Sequence, residues 1–368
     1  MRLSILRIYR GTFLFIFSFF TVLTAGNFFD SAYAQLFAPR AAEVYYENGP
    51  RNVTPQKAVT PAYVQKSDVV FVAEKSEKKI PVRNIPDIWR IETAAASHLA
   101  PTPGEISKWV VRRWTETGWE TSSLEEFYKT TTPEYPIYMY VHGNRAEPED
   151  ATRDGVHIMN LLPAGVTPRF VIWSWDTEKV ASKLRVEYAA KAVWADMQGV
   201  YLAYFLKEIA PDVPVTLAGY SFGVRTVLCA LHLCGGGTFS GKSLATQEKT
   251  DVKSHEVKTA VKIPEKTNFR AVLIAGATEN SDLLPHGRFS QAPAVSQKIF
   301  VTVNPADPAL RFYPKISEGR VKALGFTGIE KRFQNAGNEK ITPIPVNMVS
   351  HKVRDYLAIS TVRWALSP

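Results

Sequence analysis

The chain has 368 residues, 45% of them hydrophobic and 12% aromatic, which is enough apolar material for a large core and excludes a chain disordered throughout. Its formal net charge of +9 comes from lysines and arginines scattered along the sequence, without a dense basic stripe, a nucleic-acid motif or zinc-ligand spacing. Nucleic acid is therefore not an expected partner, and the excess charge reads as solvated surface.

Residues 1–34 read as an address and not as part of a fold. Arg2, Arg7 and Arg10 precede an apolar run from Thr12 to Ala25, and small residues follow, ending in Ala32-Tyr33-Ala34 before Gln35. This is the charged, apolar and A-x-A succession of a secretory signal peptide. The run is shorter than the roughly 20 apolar residues that span a bilayer. The expectation is an exported protein, periplasmic or secreted; an uncleaved leader acting as an anchor is the alternative, and the only expected source of membrane contact. Residues 35–85 are rich in Pro, Lys and Ala and are broken by Pro39, Pro50, Pro55, Pro61 and Pro81, so they read as an extended arm or linker with one short strand at Val69–Val72.

Regular alternation begins at about residue 86. Strands are expected at Ile88–Ile91, Lys108–Arg112, Pro136–Val141, Phe170–Trp175, Val213–Ala218, Ala271–Ala275, Lys298–Val303 and Ile341–Val349. Helices are expected at Ser122–Lys129, Glu149–Leu162, Ala181–Ile209, from Val224 onward, and at Lys352–Leu366. Strands that alternate with helices need crossovers, so the expected fold class over 86–368 is α/β, a mostly parallel sheet with helices on both faces. Ligands of such sheets bind at the carboxyl ends of the strands. One insertion, 235–268, opens with Gly235-Gly236-Gly237 and carries Lys242, Lys249, Lys253, Lys258, Lys262 and Lys266 with little apolar content. It reads as a surface loop, with a lid as the sharper alternative. Cys229 and Cys234 are expected as buried thiols, because five positions on an intact helix place them on different faces.

The chemistry concentrates at Gly219-Tyr220-Ser221-Phe222-Gly223. A bare G-x-S-x-G arises by chance in roughly one chain in ten of this length. Here it sits between a β-branched strand and a helix whose Val224, Val227, Leu228 and Leu231 recur at helical spacing, which is the strand–turn–helix setting that gives the motif its meaning. Gly219 and Gly223 flank a turn too tight for side chains, and Ser221 is the candidate nucleophile. A serine needs a base, and the base needs an acid to hold its tautomer. In this setting the chain order is Ser, then Asp or Glu, then His. His351, directly after the last expected strand, is the candidate base, ahead of His232, His255 and His286. Asp307, just past the strand Lys298–Val303, is the preferred acid, and Asp282, after the preceding strand, is its rival. The competing reading of either is a turn-stabilising Asp. Oxyanion donors are expected from the N–H of Phe222 and from the loop after Pro136–Val141, where His142-Gly143-Asn144 makes Asn144 the second donor and Gly143 the point of close backbone approach. His142 precedes the serine in the chain and reads as an orienting or packed residue.

These residues, in this order, resemble the α/β-hydrolase superfamily, and within it the uncharacterised bacterial lipase-like or esterase-like hydrolases that carry a W-P-S segment after the next strand. The resemblance covers about 86–368. It implies Ser221 as nucleophile, Asp307 as acid, His351 as base, and Asn144 and Phe222 as oxyanion donors. The corresponding segment here is Trp173-Ser174-Trp175-Asp176, a departure that bears on substrate preference. The expected activity is cleavage of a small-molecule or lipid-like carboxylic ester through an acyl-enzyme, with no metal or organic cofactor required. A non-catalytic binding protein of the cell envelope and an acyltransferase using the same residues are the alternatives.

Overall fold

Every residue of two central strands, β4 (Ile137–Val141) and β5 (Arg169–Ser174), is buried. Strands buried on both faces belong to parallel sheets covered by helices. That is the architecture of the computed structural model, which describes residues 87–94, 103–163, 167–238, 269–317, 319–329 and 339–367. The expected leader and arm, and residues 239–268 of the expected surface loop or lid, lie outside the described residues.

Among the described residues one sheet of nine strands runs in the order β3 (Gly118–Ser122), β2 (Val110–Thr115), β1 (Asp87–Glu92), β5, β4, β6 (Val215–Tyr220), β7 (Phe269–Ile274), β8 (Ser296–Val303), β9 (Ile341–Pro345). Every pair from β1 to β9 is parallel, and only the β1–β2 and β2–β3 pairs at one edge are antiparallel. The side-chain alternation of β5 shows how both faces are covered. On one face Trp173 packs edge-on against Phe205 at 5.7 Å and donates to Gln198 Oε1 at 3.1 Å, both residues belonging to the long helix Leu184–Lys207. On the other, Phe170 and Ile172 lie against Gly155 of the helix Pro148–Met159. The helix Gly223–Cys234 packs on the long helix, and the C-terminal helix Ser360–Leu366 covers the opposite face through Trp364 on Phe300 at 5.4 Å.

Three details differ from the sequence reading, each for a local reason. The hairpin strand β3 lacks apolar periodicity because its edge position leaves Glu120 and Thr121 exposed; what anchors it is the cross-strand pair Trp114–Trp119, with ring centroids 5.4 Å apart. The expected last helix is two helices, Val353–Leu357 and Ser360–Leu366, separated by an extended Ile359. The β-branched stretch there holds a helix weakly, and the break lets Tyr356 and Leu357 on one piece and Val362, Ala365 and Leu366 on the other all be buried. Val193, expected on the buried side of the long helix, is 59% exposed, because the amino-terminal half of that helix borders a surface cavity. Cys229 is a buried free thiol and Cys234 a partly buried one.

Candidate active site

β6 ends at Tyr220, and the chain turns at Ser221 with a φ of 54°, a left-handed conformation that costs a serine on the order of 1–2 kcal/mol. The surroundings hold it there. Ser221 N–H donates to Ile274 O at 2.9 Å, and Ser221 O accepts from Val224 N and Ala277 N, both at 3.2 Å. The turn can be this tight because a Cβ on Gly223 would stand 2.2 Å from Val141 O, and one on Gly219 would stand 2.8 Å from Gly223 O.

The loop after β9 brings His351 to the serine, with Ser221 Oγ and His351 Nε2 3.0 Å apart. The other ring nitrogen, Nδ1, lies 2.8 Å from Asp307 Oδ2. Asp307 follows β8 and caps the short helix Pro308–Phe312, its Oδ1 accepting from Ala309 N at 2.9 Å and Leu310 N at 3.0 Å. The turn-stabilising and site-facing readings of this aspartate therefore coexist, one for each oxygen. Tyr356 donates its hydroxyl to the same Oδ2 at 2.6 Å. Burial acts to raise the Asp307 pKa, but the hydrogen bond and charge of His351 and the hydrogen bonds from Tyr356 and Leu310 outweigh it, so the carboxyl titrates below its ordinary value.

Asp282 is held elsewhere. Its oxygens accept from Arg288 Nε at 2.8 Å, Arg288 Nη2 at 2.6 Å and Glu279 N at 2.8 Å, as well as from the Thr278 hydroxyl. Arg288 also reaches Asp196, which grips Arg225 of the helix after the serine through Nε at 3.0 Å and Nη2 at 2.5 Å. This buried ion network braces that helix against the long helix. His232, another candidate, accepts from Gln291 N at 3.1 Å through Nδ1.

The loop after β4 lines the same cavity as His351. Gly143 passes so close that a Cβ there would stand 2.9 Å from Ser221 Cβ. His142 secures the loop: Nδ1 donates to Gly143 O at 2.8 Å, Nε2 accepts from Trp175 N at 3.1 Å, and Trp175 Nε1 donates to His142 O at 3.0 Å. One neutral tautomer satisfies both ring bonds. Burial pushes the His142 pKa down to about 4, which keeps the ring neutral. Trp175, where the sequence departs from the W-P-S pattern, thus clamps the loop that carries Asn144. The Asn144 carboxamide is buried, and among the described residues neither Nδ2 nor Oδ1 has a hydrogen-bond partner. Phe222 is the N-cap residue of its helix, where the first N–H groups have no intrahelical acceptor. Ser221, His351, Asn144 and Phe222 all line one cavity of about 200 Å³. Among the described residues no group of His, Cys, Asp or Glu side chains is arranged to hold a metal ion.

Three contributors carry no sequence signal. Tyr220 donates its hydroxyl to the backbone carbonyl of His351. Tyr356 secures Asp307, and Asn304 donates to Tyr356 Oη at 3.0 Å and to Met348 O at 2.9 Å, tying the loop after β8 to the loop before His351. Only the meeting of distant loops gives them these partners. Chemically, a hydroxyl, an imidazole and a carboxylate joined in this order can pass the serine proton to the imidazole while the carboxylate supports the charge that forms.

No protein-family model and no curated protein matches the chain. Among solved structures it is similar to a Thermus thermophilus protein at 10% identity, covering 70% of this chain and 93% of that one with a TM-score of 0.33. It is similar to an uncharacterised Bacillus cereus protein at 9% identity, covering 66% and 63% with a TM-score of 0.30. A thermophilic esterase from Thermogutta terrifontis, in its butyrate-bound form, is similar at 12% identity, covering 64% and 83% with a TM-score of 0.26. A parallel sheet flanked by helices, with a strained serine between β6 and its helix and the Asp307 and His351 loops following later strands, is an α/β-hydrolase-like fold.

Proposed function

We propose that the protein is a serine hydrolase that cleaves a carboxylic ester through an acyl-enzyme. The observation that carries this reading is the unbroken linkage from Ser221 Oγ to His351 Nε2 at 3.0 Å and from His351 Nδ1 to Asp307 Oδ2 at 2.8 Å, with the hydroxyl facing a cavity. In this reading Ser221 Oγ attacks the ester carbonyl and its proton passes to His351 Nε2. The negative charge that forms on the carbonyl oxygen is met by the N–H groups of Phe222 and Asn144, each worth about 3–4 kcal/mol of transition-state stabilisation. The imidazolium then protonates the leaving alkoxide, the C–O bond breaks, and the acyl group remains on Ser221. Water, deprotonated by His351, attacks the acyl-enzyme and releases the acid.

The test is covalent labelling. A fluorophosphonate should label the folded wild-type chain at Ser221, and Ser221→Ala should abolish labelling. Absence of labelling on protein with a normal melting transition would overturn the reading.

A further inference from the structure

The cavity beside Ser221, about 200 Å³ in volume, divides by chemistry. Ala277, Ala309, Leu310 and Ile316 make one part of its lining apolar, whereas the loop after β4 contributes Asn144 and Arg145. Two features of that loop are explained neither by the fold nor by the proposed reaction. The first is the Asn144 carboxamide, whose Nδ2 and Oδ1 are both buried without a hydrogen-bond partner among the described residues. The proposed chemistry uses only the backbone N–H of this residue, which leaves the carboxamide's own donor and acceptor unused among the described residues. The second is Arg145. It is exposed, has a φ of 62°, a conformation that favours glycine or asparagine, and has no hydrogen bond or ion pair among the described residues.

Among the described residues that line the cavity there is no carboxylate to neutralise this guanidinium. A neighbouring cavity makes the contrast: its arginines, Arg225 and Arg288, are both committed to Asp196, and Arg288 to Asp282 as well. An unneutralised cation at the rim of a small, partly apolar cavity concentrates anions there and can grip a carboxylate or phosphate with paired N–H donors.

We propose that the substrate is an ester carrying an anionic group, a carboxylate or a phosphate, a few atoms from the scissile carbonyl, held by the Arg145 guanidinium with the Asn144 carboxamide beside it. This deepens the serine-hydrolase reading and rests on it. Arg145 acts as a specificity determinant: it binds the part of the substrate that does not react.

The experiment compares two activated esters with the same leaving group on the full chain, p-nitrophenyl butyrate as the neutral one and p-nitrophenyl hemisuccinate as the anionic one. The wild type should prefer the anionic ester in kcat/KM. Arg145→Asn, which keeps the left-handed backbone and removes the charge, should lower the anionic-to-neutral ratio about fivefold through KM. Arg145→Lys should retain part of the preference, and added salt should erode it in the wild type but not in Arg145→Asn. Competitive inhibition of butyrate-ester hydrolysis by succinate and by inorganic phosphate, measured in parallel, identifies which anion the site takes. A neutral fluorophosphonate keeps the two ideas separable. If wild type and Arg145→Asn are both labelled and share the same ratio, Arg145 is a solvated surface cation and this inference is wrong while the hydrolase reading stands. If the folded wild type is not labelled, both fall together.

Discussion

Asp307 divides its two oxygens between architecture and the site, one capping a helix and one facing His351 and Tyr356. That division predicts a double effect of Asp307→Asn. Turnover should fall roughly 10⁴-fold, because the amide cannot hold His351 in the right tautomer. The melting temperature should fall too, because an amide presents one acceptor oxygen where two are used. Tyr356→Phe removes one donor to Oδ2 and leaves the cap intact, so kcat should drop about tenfold with KM nearly unchanged, the loss of one charge-assisted hydrogen bond. Asp282→Asn should do the reverse. It weakens a partly buried ion network, costing on the order of 1–3 kcal/mol of stability because Arg288 is one-third exposed and keeps Asp196, while ester turnover of the folded fraction stays within about tenfold of wild type. Steady-state kinetics alongside thermal melts reads all three. An Asp282→Asn protein that is stable but catalytically crippled would reverse the assignment.

The elbow between β6 and the helix Gly223–Cys234 works because backbone approaches backbone where a side chain would stand. A Cβ on Gly223 would meet Val141 O at 2.2 Å and His142 O at 2.7 Å, both main-chain atoms that no rotamer change can move aside. Gly223→Ala should therefore destabilise the protein by about 3 kcal/mol or more, beyond ordinary overpacking, as read from denaturant melts. A variant with a wild-type melt would mean that the elbow and the loop after β4 can separate. The same closeness explains why the two loops act as one unit. The clamp of Trp175 on His142 holds the segment carrying Gly143 and Asn144 against the serine.

For the molecule as a whole, the neutral buried His142 ties stability to pH. Its pKa falls from an ordinary 6.5 to about 4 on folding, with burial as the main cause. Between those values the unfolded chain binds a proton that the folded chain refuses, so stability should fall as pH drops from about 6.5 to about 4 and gain nothing further from this group above that window. The slope is at most about 1.4 kcal/mol per pH unit, which amounts to roughly 3 kcal/mol across the window. Asp307 acts in the same sense at lower pH, since its depressed pKa stabilises the fold above the ordinary carboxylate range and that contribution is lost as pH falls through the folded value. Urea unfolding across this range should show the loss, and His142→Gln should flatten the upper part of it. An unchanged slope in that variant would place the acid sensitivity in another group.

Much of this was legible locally. An elbow makes demands that neighbouring residues must meet, namely a buried strand, small flanking residues and an amphipathic helix, so Gly219, Ser221 and Gly223 stand out in one short window. The parallel sheet was legible for a similar reason, since strands buried on both faces and separated by helices have few other solutions. The edge strand β3 and the break at Ile359 left little trace, because exposed strands and short helices carry weak periodicity. Chain position made Asp307 the preferred partner of His351 without excluding Asp282, and the choice between them is made in three dimensions. Asp282 and Asp307 both follow a strand, and the difference between them is made by Arg288, which neutralises the first, and by Tyr356 and Asn304, which hold the second beside the His351 loop. Arg145 looked like one more scattered cation in the chain. That no described residue pairs with it became visible only when folding brought it to the rim of a cavity whose described lining holds no carboxylate, because charge compensation depends on distances in space and not on spacing along the sequence.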